Sequence, residues 1–497
     1  MVNYSQVPPN IGGQFSISMY RTNCQPGPDM PRYLIFLLLL LVTLFRPASA
    51  IDLSGDIWGT LYPTNNPHRV TGDLHIPADS SLTITAGCSL IFQGFYSLVA
   101  DTNAILRAVG TAADSVIFIA IDTSIGWAGI RLMNTAPQTD ISYCHFEYSR
   151  IAVWFDGAPT SPEIDQDIHP ITISHSTFLN NKDAVTARSP LIVAACNFIE
   201  NCRHNYWMGA VISCQSETRV LNSLFYKNHG MIIWSASSLE LERNTFWGNN
   251  VLDFIDVGLG TYDIRENIIA HNNASNPLFM TSIYSDSATI INNTIWGNTS
   301  GASLMNFTGD FFGPRHAWVK NNIIWENTIP RDSFYIDGID EQDITYNNIQ
   351  TPYAGIGNIS VDPRFVDTAA GDFRLDYFSP CINTGDPAMP FDPDSSCSDM
   401  GAIPFSPSYL TYFPGDINSD NIINSTDVTY GMDYFRGNGN PPPDSVYDEI
   451  TAGWLHAAGD VNGSCRFIGS DITRLIRFLA GIATIEYCPR IPPIVIR

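Results

Sequence analysis

A short phrase that the chain keeps repeating sets the tightest limit on how it can fold. Leu239–Asn250 reads LELERNTFWGNN, and variants recur as SHSTFLNN, AACNFIEN, LNSLFYKN, RENIIAHN, INNTIWGN and KNNIIWEN. Their apolar anchors are Phe178, Phe198, Phe225, Phe246, Ile269, Ile295 and Ile324. Three residues after every anchor stands an asparagine: Asn181, Asn201, Asn228, Asn249, Asn272, Asn298 and Asn327. The last four variants add another two residues before the anchor, at Asn244, Asn267, Asn293 and Asn322. Successive anchors are 20, 27, 21, 23, 26 and 29 residues apart. That period holds short strands but no pair of helices, so the pattern specifies a solenoid.

Alternation within each phrase makes the solenoid a parallel β-helix. Leu239, Leu241, Asn244 and Phe246 point inward, and Glu240, Glu242 and Thr245 point outward. One coil cannot bury its own apolar face, whereas stacked coils bury a continuous core. The asparagines fall at the turns, where a side-chain amide satisfies backbone groups that a bend leaves unpaired.

The 497-residue chain is long enough for two or three domains. It carries 49 acidic and 25 basic residues for a formal charge of −24, which argues against nucleic acid and anionic membrane surfaces as partners. Residues 30–50, MPRYLIFLLLLLVTLFRPASA, read as a signal peptide: Arg32, an apolar run over Tyr33–Phe45, then Ala48-Ser49-Ala50 as the cleavage site. The run is short for a transmembrane span, so the mature chain is expected to be secreted and not an integral membrane protein. Residues 1–29 then form an unstructured upstream extension, and nine cysteines enter an oxidising compartment. An odd number leaves at least one thiol unpaired, and Cys88 or Cys144 lies in a strand-like stretch that would bury it.

Residues 51–130 alternate as strands through Val70, Leu74, Ile76, Leu82, Ile84, Leu90 and Phe92, and resemble the N-terminal cap of secreted bacterial right-handed β-helix proteins. Coils are expected over 131–360. Residues 361–403 contain DPRF, GDFRL, SPCINTGDP and DMGA in order, and resemble the terminal segment that follows such coils. Cys381 and Cys397 are close enough in sequence to be a candidate disulfide. Residues 404–414 read as a linker.

The spacing in 415–427, GDINSDNIINSTD, is that of a calcium loop. Asp416, Asn418, Asp420, Asn424 and Asp427 hold positions 1, 3, 5, 9 and 12, and Ile422 at position 7 offers its backbone carbonyl. Residues 459–471 repeat the register with Asp460, Asn462, Ser464, Arg466 (carbonyl) and Asp471, while Ile468 replaces the ligand at position 9. Each loop runs into a helix-like segment. Residues 415–485 thereby resemble a type I dockerin, and a tail follows over 486–497. The resemblance implies Ca²⁺ at both loops, and a cohesin-like module on a scaffold or surface protein as partner. It implies recognition through positions 10 and 11, here Ser425-Thr426 and Gly469-Ser470. The halves differ, and Pro441–Pro443 begins an unusually long insertion. Cys465 and Cys488 are placed to tie the second loop to the chain end.

The expected fold is therefore an all-β right-handed parallel β-helix followed by a small, mainly α-helical calcium module. The solenoid resembles pectate lyases and polygalacturonases, but fold alone does not give function. The Asp-Asp, Gly-His-Gly and Arg-Ile-Lys elements of polygalacturonases are missing from the sequence. Asp253, Asp256 and Asp263, or Asp337, Asp340 and Asp343, are either a carboxylate cluster or solvated turn residues. The residues after the anchors include Tyr226, Trp247, Trp296 and Trp325, a stripe that either stacks on sugar rings or packs beneath a neighbouring segment. Two functions follow: a secreted polysaccharide-binding or structural β-helix displayed through the dockerin, or a polysaccharide lyase or glycoside hydrolase tethered for polysaccharide breakdown.

Overall fold

The computed structural model describes residues 50–157, 170–202, 209–306, 316–330, 336–337, 344–376, 379–405, 412–443, 445–448 and 453–488. The upstream extension, the signal segment up to Ser49, residues 406–411 of the linker and the tail from 489 lie outside them. The chain divides into two units. One runs to Val361 and includes Thr384–Met389 and Met400–Ala402; the other holds Asp362–Asn383, Pro390–Asp399 and everything from Ile403.

The first unit is a parallel β-solenoid with three sheets, in which each strand pairs with its equivalent one coil further on. Leu191–Ala194, Thr218–Leu221 and Leu239–Glu242 belong to the first sheet. Asn197–Ile199, Leu224–Tyr226 and Thr245–Trp247 belong to the second. Asp183–Ala187, Ala210–Cys214 and His229–Ser235 belong to the third. The inside–outside assignment holds: Leu239, Leu241, Asn244 and Phe246 are buried, and Glu240, Glu242 and Thr245 are half-exposed.

The anchors stack in register through the interior. Phe178, Phe198, Phe225, Phe246, Ile269, Ile295 and Ile324 stand one above the next. Phe118 and Phe146 extend the column at its start, and neighbouring Phe rings from 118 to 246 lie 4.7–5.1 Å apart and nearly parallel. Such contacts add about 0.5–1.5 kcal/mol to the burial of each ring pair.

The turn beside this column explains the asparagines. The residue before each one is left-handed, as at Lys227 (φ 53°), His271 (φ 56°) and Glu326 (φ 55°), with Gly248 and Gly297 in the same role. A left-handed residue bends the chain sharply and pulls nearby backbone groups out of the ladder of sheet hydrogen bonds. The asparagine side chain takes them up. Asn249 Nδ2 donates to Phe225 O (3.0 Å) and to Asn272 Oδ1 (2.8 Å). Its Oδ1 accepts from Asn228 N (2.8 Å) and from Asn228 Nδ2 (3.0 Å). All four bonding positions of the amide are filled at 1% exposure. The same pattern links Asn181, Asn201, Asn228, Asn249, Asn272, Asn298 and Asn327 into one chain of amides. A second chain joins Asn244, Asn267, Asn293 and Asn322, and runs on through Asn347 to Asn358.

Cys88 and Cys144 are buried, as expected, and so are Cys196, Cys202 and Cys214. Burial pushes the Cys196 thiol up to about 12, so it is an inert core residue. Two motifs of the terminal segment grip the solenoid. Asp386 N donates to Asn321 Oδ1 and Gly401 N to Asn321 O, each at 2.7 Å. The preceding Phe365–Asp367 and Asp372–Leu375 pair antiparallel and belong to the second unit, rather than forming a further parallel coil. The expected Cys381–Cys397 disulfide is corrected: Cys381 is buried and Cys397 exposed, and no bond joins them.

In the second unit, helices α1 (Ser425–Phe435) and α2 (Gly469–Leu479) enclose a small core of Ile417, Val461, Phe467, Ile472 and Leu475. The insertion after Pro443 adds an antiparallel hairpin, Ser445–Asp448 with Gly453–His456, so this unit is less helical than expected. His456 ties the hairpin to α1 through the Tyr434 hydroxyl (2.9 Å). One disulfide joins Cys465 to Cys488.

Replacing Asn249 with Leu strands Asn228 N, Phe225 O and the Asn272 amide. Each group left unsatisfied costs about 1–3 kcal/mol. Thermal denaturation should show a large loss of solenoid stability for Asn249→Leu and little change for the exposed neighbour Asn250→Ser. Equal melting temperatures would refute an inward ladder.

Candidate functional site

The two twelve-residue loops of the second unit share their hydrogen bonds at positions 1, 3, 11 and 12. At position 1, Asp416 Oδ1 and Oδ2 accept from the amides of Asp420 and Asn421 (3.0 and 2.7 Å). Asp460 accepts in the same way from Ser464 and Cys465 (3.0 and 2.7 Å). At position 3, Asn418 Oδ1 accepts from Asp420 N, and Asn462 Oδ1 from Ser464 N. At position 12, Asp427 accepts from Asn418 N and Asn424 N, and Asp471 from Asn462 N and Ile468 N. Both loops turn through left-handed residues at positions 4 and 6: Ser419 and Asn421 in the first, Gly463 and Cys465 in the second.

This geometry draws carboxylates together out of water. Asp416, Asp427, Asp460 and Asp471 are all buried. Desolvation raises Asp427, with repulsion from Asp416 and Asp420 adding to it, and pushes Asp471 up to about 6. Among the described residues no basic side chain pairs with Asp427, Asp460 or Asp471. Buried, mutually repelling carboxylates fit a hard divalent cation. In loop one the set is Asp416, Asn418, Asp420, the Ile422 carbonyl, Asn424 and Asp427. In loop two it is Asp460, Asn462, Ser464, the Arg466 carbonyl and Asp471, with Ile468 exposed and offering no side-chain oxygen.

Each loop leads straight into its helix at position 10. Ser425, Thr426, Gly469 and Ser470 are all exposed. Asn418 Nδ2 donates to Thr426 Oγ1 (3.2 Å) and Asn462 Nδ2 to Ser470 Oγ (3.0 Å), so each loop is hydrogen-bonded to the surface pair beside it.

The aromatic stripe of the solenoid is in register along the second sheet, from Tyr226 through Trp247, Ala270 and Trp296 to Trp325. Of the two readings of the stripe, packing describes two of its four members. Tyr226 and Trp296 are buried, at 5% and 7% exposure; Trp247 and Trp325 stay half-exposed. His271 packs against the Trp247 ring, with centroids 4.6 Å apart.

The third sheet carries an outward row that sequence reading missed: Arg131, Trp154, Thr186, Ser213, Trp234 and Asp256 on successive coils. The Arg131 guanidinium lies 4.5 Å from the Trp154 ring centroid. Asp156 sits between Arg131 (2.6 Å) and Arg188 (2.8 Å). The available signal was a Trp one step off the apolar alternation in IAVWFD and MIIWSA. Of the proposed carboxylates, Asp253 and Asp256 do approach: burial raises Asp256 and Asp253 adds repulsion. Asp263 lies on the first sheet with Arg265 and is not part of that group. Asp340 and Asp343 lie outside the described residues, and of Asp337 only the backbone is described. Asp183, also missed, is pushed up to about 6 by burial, with Oδ1 unpartnered.

Residues 163–324 match the model of the right handed beta helix region family. The solenoid is a right-handed β-helix. Neither the curated proteins nor the solved structures compared with the chain gave a match. No described helix is long and apolar enough to cross a membrane.

Ligand charge ranks the two loops. Loop one offers three carboxylates and loop two offers two, so loop one should hold calcium more tightly. Calorimetric titration should show Asp416→Ala losing more calcium affinity than Ser464→Ala. The reverse order would overturn the ranking.

Proposed function

We propose that this is a secreted right-handed β-helix that binds extracellular polysaccharide and is displayed on a cohesin-type partner through a calcium-loaded dockerin module. The observation that carries the docking half is that the two loops share their hydrogen bonds at positions 1, 3, 11 and 12. A pair of Asx-rich turns formed by chance has no reason to agree at positions 1, 3, 11 and 12 at once. Calcium held there neutralises the buried carboxylates and fixes the angle at which each loop enters its helix. The exposed pairs Ser425-Thr426 and Gly469-Ser470 then stand on rigid helix starts, as a docking surface requires.

For the solenoid, the third-sheet row supports binding better than the second-sheet stripe. Trp154 and Trp234 are three coils apart, about 14 Å at the strand spacing of a sheet. Between them lie the small polar side chains of Thr186 and Ser213, which leave a flat floor for an extended polymer. Secretion agrees with the apolar run before Ala50 and with the first strand, Ile51–Asp56, which starts just after the expected cleavage site. The alternative, a tethered lyase or glycoside hydrolase, draws on Asp183 and on the Asp253–Asp256 pair.

One experiment separates the readings. The full mature chain is immobilised on a cohesin-bearing surface in calcium or in chelator, then offered a polysaccharide panel with a parallel assay for new reducing ends. Calcium-dependent capture and polymer retention without new ends is the expected result. Trp234→Ala should lower retention about tenfold or more, as for truncated aromatic anchors elsewhere. Capture that ignores chelator would remove the docking proposal, and new reducing ends would make the protein an enzyme.

A further inference from the structure

The second loop has the poorer ligand set, yet it is the one the chain holds from outside. Residues 484–488 run alongside it. Glu486 N donates to Val461 O at loop position 2 (3.0 Å). Arg474 on α2 reaches the same segment through Nε, which donates to Thr484 O (2.9 Å), and through an ion pair with Glu486. The Cys465–Cys488 disulfide then closes the segment onto position 6. Position 6 is where the loop turns left-handed, with Cys465 at φ 57°. Cys465 N is also the donor that holds Asp460 Oδ2 (2.7 Å). Both sulfur atoms lie within 4.8 Å of an Asp460 carboxylate oxygen.

The equivalent places in loop one carry no such covalent tie. Asn421, at position 6, is left-handed as well (φ 67°), but it is exposed, and so is Asp420 beside it. The difference falls where the ligand chemistry differs. Loop two has Ser464 in place of a carboxylate at position 5 and Ile468 in place of an oxygen at position 9.

We propose that the Cys465–Cys488 bond, with Arg474, is a positioning device for the second calcium site: it holds Asp460 and the position-6 turn in the metal-ready form before calcium arrives, and so compensates for the neutral ligand at position 5 and the missing one at position 9. A loop already ordered does not have to lose that conformational freedom on binding, which raises affinity without adding a contact. The inference rests on the calcium reading of the two loops and adds an oxidation-dependent difference between them. Loop two binds calcium more tightly while its disulfide is intact; loop one is indifferent to it.

The test uses the full mature chain in two backgrounds, Asp416→Ala to leave loop two alone and Asp460→Ala to leave loop one alone. Calcium is titrated calorimetrically before and after treatment with a water-soluble phosphine. That reagent breaks the Sγ–Sγ bond to two thiols and becomes the phosphine oxide, with water supplying the oxygen and both protons. Reduction should weaken loop two by about 10–100-fold, the usual cost of losing an outer support of a metal ligand, and leave loop one within twofold. The unreduced Cys465→Ala/Cys488→Ala chain should behave like the reduced one, with α1 amide exchange as the check that the module is still folded. Equal effects on both loops, or none on either, would overturn the positioning role and leave the calcium reading intact. Absence of calcium binding in the oxidised wild-type chain would instead overturn the calcium reading, and this inference with it.

Discussion

The solenoid depends on one repeated hydrogen-bond exchange, in which a buried asparagine amide gives two protons and takes two. A left-handed residue at each turn lets the chain leave one sheet and enter the next within a single residue. That bend would otherwise bury unpaired backbone groups, at a cost too large to repeat coil after coil. The amide fills the gap and hands an identical gap to the next coil, so the exchange propagates. Because the Asn column fixes the turn, the residue three before it always lands at the same interior point. The Phe and Ile column follows from that registration, and the flat outward rows of the three sheets follow from the column.

The second unit solves a different problem. It has few apolar residues to bury, and small cores rarely stabilise a domain alone. Its order comes from carboxylates that fold back on their own backbone amides, at the expense of bringing like charges together. A cation would relieve that repulsion, and in our proposal it completes the loops. The solenoid satisfies the backbone of its asparagine turns internally; the module leaves part of its electrostatics to the solution.

The repeat was legible in the sequence because a fixed turn demands a fixed offset, and seven copies show it. Its first coils were not. Phe146 occupies an anchor place, but Ser149 stands where the asparagine would be, and Ser149 N and Oγ both bond to Asn181 Oδ1. The paired turns of the second unit were equally legible, since the same register of Asp and Asn stands in both loops and both turn left-handed at positions 4 and 6. Surfaces were harder. Tyr226 and Trp247 look alike in sequence, and only the packing of adjacent coils buries one more than the other. Trp154 and Trp234 share no flanking phrase, so nothing marked them as members of one row. Proximity in sequence misled at Cys381 and Cys397, whose burial differs, and succeeded only in part at Cys465 and Cys488. There it gave the bond but not its contact with Asp460.

The proposed contrast between a self-sufficient solenoid and a module completed by metal is tested most directly by amide hydrogen exchange on the intact chain, with calcium and then with chelator. Helices α1 and α2 should be protected in calcium and exchange rapidly in chelator, while strands such as Leu239–Glu242 and Thr245–Trp247 stay protected in both. Protection of α1 and α2 that is the same in calcium and in chelator would contradict the account.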